Sequence, residues 1–273
     1  MLGPIHRVEC KAWRAGRLAS SERTIPEETA VAFTYNGSSY AVMMATPRDL
    51  DDFALGFSLT EGIVKSPNAI ESLEIVEEAI GVELRMRLTE PHATAFRERR
   101  RYLAGPTGCG LCGIESLSEA MRAPAMISDD GLVASKDIMT ALDALYGRQT
   151  INQSTRAVHG AAFYRHGEGL VAVREDVGRH NALDKLAGAL ARNGVTGCGG
   201  LGLLTSRLSV ELVQKAAAIG IPVLVAVSAP TALAVRTAHA CGMTLVAVAR
   251  TDGFEIFTHP KRIKEEQLFH VVA

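Results

Sequence analysis

The chain has 273 residues, of which 47% are hydrophobic, so it can bury a substantial core in one or two domains. Its 29 Lys and Arg residues against 30 Asp and Glu residues leave a net charge near zero, which removes the electrostatic reason to expect nucleic acid as a partner. No apolar stretch approaches the roughly 20 residues that cross a bilayer, and the first residues lack the apolar segment of a secretory signal. We therefore expect a cytoplasmic protein that binds neither nucleic acid nor membrane.

The first half of the chain predicts a small mixed unit of sheet and helix. In chain order, the predicted elements are strands at 29–35 and 39–45, a helix at 49–61, and strands at 72–76 and 82–88. The pair Asn36-Gly37 favours a tight hairpin turn between the first two strands, and Gly62 is a stop signal for the helix. Residues 94–101 are polar and rich in arginine, and we predict a break between elements there.

A glycine-rich loop with two cysteines follows this break. Residues 105–113 hold four glycines and a proline, which excludes an ordinary helix or strand interior and predicts a mobile loop around Cys109 and Cys112. A short helix is predicted at 114–121. We place a domain boundary near residue 128, so that residues 1–128 form an α+β domain ending in the CxxC loop and this helix.

The second half predicts an α/β domain at residues 129–273. After a helix at 135–146, the predicted elements are paired strands at 160–164 and 170–174, a helix at 181–192, and then strand, helix, strand, helix and strand at 201–206, 210–219, 222–228, 231–241 and 244–250. Because the strands are continuous apolar runs, we expect a parallel sheet covered by helices on both faces. The predicted class is therefore α/β with a three-layer second domain.

The CxxC pair of Cys109 and Cys112 is the first candidate for chemistry. The thiolate is the reactive form of cysteine, and a nearby helix N-terminus or cation lowers the pKa of the thiol. The spacing alone fits half of a zinc site, a dithiol redox centre or a persulfide carrier. Neither Cys198 nor Cys241 belongs to a second ligand pair, and the loop does not follow a strand in a βαβ unit, so the carrier is favoured.

The motif His166-x-Glu168 raises a further hypothesis, that the protein is a zinc nucleoside deaminase. In that signature the histidine precedes a CxxC that directly follows a proline. Here the CxxC comes first, no proline directly precedes Cys109, and His166 lies in a predicted hairpin turn. The deaminase hypothesis is therefore disfavoured.

Polar residues follow three predicted strands of the second domain, including Ser206, Arg207, Ser228 and Thr231. Ligands of open parallel sheets gather beyond the carboxyl ends of the strands, where hydroxyls, an arginine and helix N-termini bind phosphate oxygens. The alternative is helix capping, above all for Ser209 and Thr231. Three polar strand ends together favour a phosphorylated ligand.

The stretch 174–181 is dense in charged and polar side chains between a strand and a helix. Asp176 and His180 are candidates for function, with a satisfied structural pair as the alternative. Asn181 is a candidate helix cap. His159, a single histidine beside a strand, is expected to be structural.

Motifs along nearly the whole chain resemble the FdhD family of formate dehydrogenase accessory proteins. The resemblance rests on GCGLCG at 108–113, EDVGRHNALDK at 175–185, TSR at 205–207, FALGF at 53–57, SAPT at 228–231 and FTHPKR at 257–262. It implies a cytidine deaminase-like fold and a sulfurtransferase that passes persulfide sulfur from a cysteine desulfurase to the molybdenum cofactor. That cofactor, in its bis-molybdopterin guanine dinucleotide form, would be bound as substrate before its insertion into formate dehydrogenase.

The resemblance also implies roles for individual residues. Cys109 would carry the persulfide, and Cys112 would be its partner. The implied cofactor-binding residues are Phe257, Thr258, His259, Pro260, Lys261 and Arg262, together with Ser206, Arg207, Ser228 and Thr231. No structural metal is expected, and a homodimer is expected from the family alone. The principal alternative is a chaperone that binds the molybdenum cofactor without transferring sulfur.

Overall fold

A computed structural model describes residues 3–103, 122–128 and 131–265. The CxxC pair and the predicted helix at 114–121 lie outside the described residues. None of the described helices combines the length and hydropathy that are needed to span a bilayer.

A two-stranded antiparallel ribbon precedes the first predicted element. Strands β1 (Ile5–Arg14) and β2 (Arg17–Pro26) pair along their full length. They are joined at Ala15 and Gly16, whose φ angles of 48° and 80° form the turn. No element is predicted from the sequence for residues 5–26.

A four-stranded sheet follows, in the strand order β4-β3-β6-β5. Its strands are β3 (Thr29–Tyr35), β4 (Ser38–Ala45), β5 (Ile70–Glu78) and β6 (Gly81–Leu88). Helix α1 (Leu50–Thr60) packs on it, and Phe33 stacks on Phe57 with ring centroids 4.1 Å apart. Positive φ angles at Asn36, Gly37 and Gly62 confirm the predicted hairpin turn and helix stop.

The predicted break at 94–101 is wrong, because these residues belong to helix α2 (Glu90–Leu103). Arginine and glutamate are good helix formers, and polarity alone does not break a helix. Helix α2 contacts the hydrophobic core of the first sheet through Ala93 and Phe96, which are both buried.

The second half contains a six-stranded sheet in the order β13-β12-β11-β10-β8-β9. Its strands are β8 (His159–Arg165), β9 (Gly169–Asp176), β10 (Gly200–Leu204), β11 (Val223–Ala226), β12 (Thr244–Arg250) and β13 (Gly253–Ile256). The predicted parallel pairing is confirmed for β10, β11 and β12. The whole sheet is mixed, because hairpins add antiparallel strands at both edges.

Helices cover both faces of this sheet, which confirms the predicted three layers. One face packs against α3 (Ser135–Arg148). The other packs against α5 (Arg179–Arg192), α6 (Val210–Ala218) and α7 (Ala232–Ala240). The remaining elements are α4 (Thr150–Thr155), β7 (Val133–Ala134), β14 (Ile263–Lys264) and short 3-10 turns at Pro67–Ala69 and Pro260–Arg262.

The two halves meet where α1 crosses α5 at two glycines. A Cβ atom on Gly56 would lie 1.6 Å from the carbonyl oxygen of Asp184, and one on Gly188 would lie 1.9 Å from that of Asp52. Only glycine permits so close an approach of the two backbones. The predicted domain boundary near residue 128 stays a prediction.

Candidate functional site

The carboxyl ends of β10, β11 and β12 meet at one edge of the six-stranded sheet, here named the carboxyl edge. The N–H of Leu208 donates to the carbonyl of Ala229 (3.3 Å), and the N–H of Thr231 donates to that of Leu208 (2.9 Å). The N–H of Val248 donates to the carbonyl of Ser228 (3.3 Å). These bonds bring the polar segments after β10 and β11 together and join them to β12 near its carboxyl end.

The predicted site residues at the carboxyl edge differ in the burial and the hydrogen bonds of their side chains. Ser206 is buried, and its hydroxyl donates to the carbonyl of Arg207 (3.0 Å). The Thr231 hydroxyl accepts the N–H of Ala234 (3.2 Å), so the capping role considered for Thr231 is confirmed. Ser228 is half-buried and Arg207 is exposed. Arg207 is thus the member of this group that presents a full positive charge to solvent.

Three helices begin at the carboxyl edge. The N-cap residues of α5, α6 and α7 are Gly178, Ser209 and Thr231. The first N–H groups of a helix lack intrahelical acceptors and form the positive end of the helix dipole, which attracts phosphate groups. With Arg207, the edge therefore has the chemistry of an anion-binding site.

Val248 adds backbone strain next to this edge. This β-branched residue has φ of 52°, and the register of β12 with β13 shifts between Ala247 and Arg250. Such residues avoid the left-handed region, and strained positions often accompany binding sites. The continuous apolar run of β12 gave no signal of this strain.

His180 lies at the start of α5, between the first turns of two helices. Its Nε2 atom is 2.8 Å from Glu211 Oε2 and 3.4 Å from the Ser209 hydroxyl. Burial lowers the pKa of His180 to about 4, with Glu211 opposing the shift and Arg179 adding to it. The imidazole is therefore neutral at pH 7 and pairs with Glu211, so Asp176 and His180 do not form a pair with each other.

Asp176, Asn181 and Lys185 instead form a buried cluster that ties α5 to the first half. Lys185 Nζ is 2.6 Å from Asp176 Oδ2 and donates to the carbonyl of Thr46 (2.9 Å). The Asn181 amide donates to Asp176 Oδ1 (2.9 Å) and to the carbonyl of Met44 (2.8 Å). Burial lowers the pKa of Lys185, although Asp176 opposes this. The cap role considered for Asn181 is wrong, because α5 begins before it.

A second buried cluster joins α1, α5 and α6. Lys215 Nζ is 2.9 Å from Asp184 Oδ1 and 2.6 Å from Glu61 Oε1. The Thr60 hydroxyl donates to Asp184 Oδ1 (2.5 Å). Burial works against the charge on Lys215, but Asp184 and Glu61 outweigh it and raise the pKa of the ammonium group. The cluster therefore holds a charged lysine in the interior.

Arg122 connects this cluster to the chain that follows the CxxC pair. Its guanidinium donates to the carbonyls of Thr60 (3.1 Å) and Glu61 (3.0 Å) at the end of α1. The Gln214 amide of α6 donates to the Arg122 carbonyl (2.8 Å). A cation at a helix C-terminus also offsets the helix dipole. Arg122 thereby fixes the first described residue after Cys112 against two helices.

The predicted segment 257–262 lines a cleft of about 510 Å³ together with Leu132 and His239. The rings of His239 and His259 stack with centroids 5.0 Å apart. Phe257 and Lys261 are exposed in this cleft.

Thr258 and Arg262 direct polar atoms into the fold. The Thr258 hydroxyl donates to the carbonyl of Met243 (2.7 Å) and accepts the N–H of Leu245 (2.8 Å). The Arg262 guanidinium donates to the carbonyl of Gly242 (2.9 Å). These bonds fix the segment at the amino end of β12.

The structure therefore separates the predicted cofactor-binding residues into two groups. The carboxyl edge holds Ser206, Arg207, Ser228 and Thr231, whereas 257–262 lies at the other end of the parallel strands. The Ser228 carbonyl bonds to β12 at Val248, whereas the Thr258 hydroxyl bonds at Leu245, so at roughly 3.3 Å per residue about 10 Å of the strand lies between these two contacts.

The two remaining candidate histidines have structural surroundings. His166 is exposed in the β8–β9 turn, as predicted, and its Nδ1 atom is 3.0 Å from Asp137 Oδ2. His159 begins β8 opposite Asp176. Burial, reinforced by Arg179, lowers the pKa of His159, while Asp176 opposes the shift.

The fold defines an α/β protein in which a mixed sheet presents Arg207 and three helix N-termini at its carboxyl edge. A family model, described as the FdhD/NarQ family, matches residues 26–264. A protein from Agrobacterium fabrum named sulfur carrier protein FdhD is 56% identical over 258 residues, which cover 94% of this chain and 95% of the relative. A protein of the same name from Brucella abortus is 51% identical over 255 residues, which cover 93% and 95%. The chain therefore belongs to the FdhD/NarQ family, and the resemblance found in the sequence is confirmed.

A solved structure supports the fold. The crystal structure of a candidate formate dehydrogenase accessory protein from Desulfotalea psychrophila matches with a TM-score of 0.74. The match has 24% identity and covers 95% of this chain and 99% of that one. At this identity the likeness concerns the fold alone.

Sequence reasoning missed the buried lysines and the anchor at Arg122. Lys185 stands between Asp184 and Leu186 in a helix with many apolar positions, and this placement was the available signal for burial. Nothing in the sequence around Arg122 indicated its contacts with α1 and α6, because these bonds depend on the tertiary arrangement.

Proposed function

We propose that this chain is a sulfur carrier with sulfurtransferase activity in the maturation of formate dehydrogenase. It takes persulfide sulfur from a cysteine desulfurase and passes it to the molybdenum cofactor in its bis-molybdopterin guanine dinucleotide form. The observation that carries the proposal is the pair Cys109 and Cys112 within the matched family range. The names of the relatives support the sulfur carrier role, and the description of the D. psychrophila protein supports the link to formate dehydrogenase.

The proposed loading step uses the Cys109 thiolate as nucleophile. It attacks the terminal sulfur of the desulfurase persulfide, so a new S–S bond forms on Cys109 and the S–S bond of the desulfurase breaks. The desulfurase leaves as a thiolate, and no net oxidation occurs. Such exchange needs a thiol that is partly ionised near neutral pH and accessible. A reducing, cytoplasmic location suits these thiols.

The proposed delivery step uses Cys112 to release the sulfur. The Cys112 thiolate attacks the inner sulfur of the Cys109 persulfide, which forms a Cys109–Cys112 disulfide and releases hydrosulfide to the substrate. The two electrons gained by the released sulfur come from the two cysteines. A cellular dithiol then reduces the disulfide before the next cycle.

For the substrate, we propose that the carboxyl edge binds phosphate groups. Arg207 supplies an exposed cation, and three helices present their N-termini there. Thr231 caps α7 and Ser206 bonds within its own loop, so we propose that these two residues shape the edge. Ser228 supplies a half-buried hydroxyl beside them.

We propose that the cleft lined by 257–262 contacts a separate part of the same substrate. A cofactor that carries two guanine dinucleotides is long enough to be contacted at both ends of these short parallel strands. Phe257 offers an aromatic face, and Lys261 offers a cation. Thr258 and Arg262 would act by holding the segment in place.

The path of the chain supports a link between the CxxC pair and this cleft. From Arg122 the chain reaches Ile127, whose N–H donates to the carbonyl of Cys241 (2.8 Å), and then Leu132 in the cleft wall. The segment that leaves the cysteines therefore runs from the α1–α6 junction to the 257–262 cleft.

The finer fold assignment is also a proposal. We assign residues 129–273 to the cytidine deaminase-like class on the basis of the three-layer arrangement and family membership. Fold does not dictate chemistry, and no deaminase activity is proposed. Metal analysis of the purified protein tests the zinc hypothesis, and stoichiometric zinc would overturn the proposed roles of Cys109 and Cys112.

Complementation separates sulfur transfer from the chaperone alternative. Cells that lack this protein should regain formate dehydrogenase activity with the wild-type chain and fail to do so with Cys109→Ser. Arg148→Ala, which alters an exposed arginine at the end of α3, is the control and should restore activity. Full activity with Cys109→Ser, Cys112→Ser would favour a chaperone that transfers no sulfur.

Nucleotide binding tests the proposed edge independently of the cysteines. Arg207→Ala should weaken the binding of guanosine diphosphate about tenfold, because a charged hydrogen bond to phosphate is lost. Isothermal titration measures this change. Equal affinity in Arg207→Ala would remove Arg207 from the proposed site.

A further inference from the structure

One wall of the 257–262 cleft comes from His239, a residue outside that segment. His239 stands in the last turn of α7, and it lines the cleft of about 510 Å³. The imidazole of His259 stacks on its ring, with an angle of 23° between the two planes and 5.0 Å between the ring centroids. Because His239 is exposed, this stack leaves part of its ring surface open to the cleft.

The ring of His259 that supports His239 is fixed within the fold. Its Nε2 atom donates to the carbonyl of His239 (3.0 Å), and its own carbonyl accepts the hydroxyl of Thr244 (3.1 Å). These two bonds tie the segment 257–262 to the end of α7 and to the start of β12. The orientation of the two stacked imidazoles is therefore set before any ligand binds.

The backbone of His259 is strained in the conformation that makes this stack. Its φ of 44° and ψ of 55° lie in the left-handed region, which residues other than glycine rarely adopt. The next residue is Pro260, and a residue before proline favours extended backbone instead. Strain of this kind persists where the surrounding structure holds it, and it is concentrated at ligand sites.

The other exposed side chains of the cleft fit a planar ligand. Phe257 is 37% exposed and adds a second aromatic surface, and Lys261 adds an exposed cation. A cleft of this size can hold one small molecule. Flat side-chain rings beside a cation are the usual means by which proteins bind the bases of nucleotides.

We propose that the ring of His239 stacks on a planar, fused-ring nitrogen heterocycle of the substrate. The inference rests on the proposed function of the cleft and names the chemical group that the cleft recognises. The proposed cofactor contains two groups of this chemistry, guanine and pterin. His239 would thus determine specificity for the heterocycle, while the carboxyl edge would contact phosphate.

Titration of the full-length protein with guanosine and, separately, with pterin tests this role by proton NMR. Neither probe carries a phosphate group, so neither needs the carboxyl edge. The wild type should bind at least one of them and shift its ring protons upfield, and the probe that responds identifies the heterocycle. His239→Ala should raise the dissociation constant at least about fivefold and remove the upfield shift, because a stacking surface is lost.

His239→Phe keeps a flat ring, so it should hold the affinity within about twofold of the wild type and retain the upfield shift. His166→Ala alters an exposed histidine in the β8–β9 turn and serves as the matched control, with unchanged binding expected. Failure of the wild type to bind either probe would overturn the inference, as would equal affinity in His239→Ala. Equal losses in His239→Ala and His239→Phe would also overturn it, because stacking should survive in the second variant. Sulfur loading of Cys109 needs neither probe, so these failures would leave the sulfur carrier proposal standing.

Discussion

The α1–α5 crossing and the carboxyl edge contain similar residue types, but a charged side chain is buried at the crossing and exposed at the edge. At the crossing, Lys185 is fully buried, and its ammonium is matched by Asp176 and a backbone carbonyl. At the edge, Arg207 is exposed among helix N-termini. Since a buried charge needs partners within the fold and an exposed one does not, the crossing joins the two halves, while the charge at the edge stays in contact with solvent.

A motif that is dense in polar residues is therefore not necessarily a binding site. The stretch 175–185 contributes Asp176, Asn181, Asp184 and Lys185 to the interior, while His180 alone of its candidate residues stands near the edge.

Gly56→Ala breaks the crossing itself. The added Cβ would lie 1.6 Å from the carbonyl oxygen of Asp184, so the helices must separate, and we expect a loss of about 3 kcal/mol or more in the free energy of unfolding. Urea denaturation measures the loss. Gly147→Ala is the control, because its Cβ meets nothing within 4 Å, and it should raise stability by about 0.5 to 1 kcal/mol.

Lys185→Met leaves the Asp176 carboxylate buried without its cation. We expect a loss of about 3 to 5 kcal/mol, as for other broken buried pairs. The double variant Lys185→Met, Asp176→Asn should recover much of that loss, because no unpaired charge remains. A single variant as stable as the wild type in urea would contradict the structural role of this pair.

Arg122→Ala removes two charged hydrogen bonds at the end of α1. The expected loss is about 1.5 to 3 kcal/mol, as for other bonds with a charged donor, and thermal unfolding measures it. Arg148→Ala changes an exposed arginine and should have little effect. Equal melting temperatures for Arg122→Ala and the wild type would show that the anchor contributes nothing to stability.

The stability of the protein should depend on His180 at acidic pH. Burial lowers the pKa of His180 from 6.5 to about 4, so the unfolded state binds more protons between these values. The contribution of His180 to stability is therefore fully present above pH 6.5 and is lost as the pH falls toward 4. His180→Gln should flatten the stability profile in this window relative to the wild type, whereas His166→Gln controls for the loss of an exposed histidine. Parallel profiles for His180→Gln and the wild type would contradict the buried, neutral state.

Thr231→Ala should have the smallest of these effects, about 1 kcal/mol, because Thr231 caps α7. Ser209 occupies the N-cap position of α6 without a side-chain capping bond, so Ser209→Ala should cost less. Guanidinium denaturation compares the two. An equal loss for both variants would assign the effect to something other than capping.

Much of the fold follows from patterns within short stretches. The turn at Asn36-Gly37, helix α1 and the alternating elements of the second half follow from periodicity and turn residues, which are local signals. Helix α2 was missed because residues 94–101 are mostly polar, and only a few apolar residues such as Ala93 and Phe96 mark its buried side. The ribbon of β1 and β2 was missed because neither strand is buried enough to show a strong apolar alternation.

The candidate site was predictable only in part, because some of its features depend on contacts between distant parts of the chain. That Arg207, Ser228 and Thr231 share an edge follows from strand order, since the carboxyl ends of parallel strands lie together. That 257–262 lies at the opposite end of β12 depends on the antiparallel return of β13, which single-strand patterns do not specify. The partners of Lys185, Lys215 and Arg122 depend on contacts between the two halves.

The central claim is that Cys109 carries sulfur, and intact-mass measurement tests it most directly. The full-length protein is incubated with a cysteine desulfurase and cysteine, and its mass is compared with that of Cys109→Ala treated in the same way. The account predicts that the wild type gains the mass of one sulfur atom, that a reducing thiol removes it, and that Cys109→Ala gains none. Equal sulfur loading of Cys109→Ala would contradict the account.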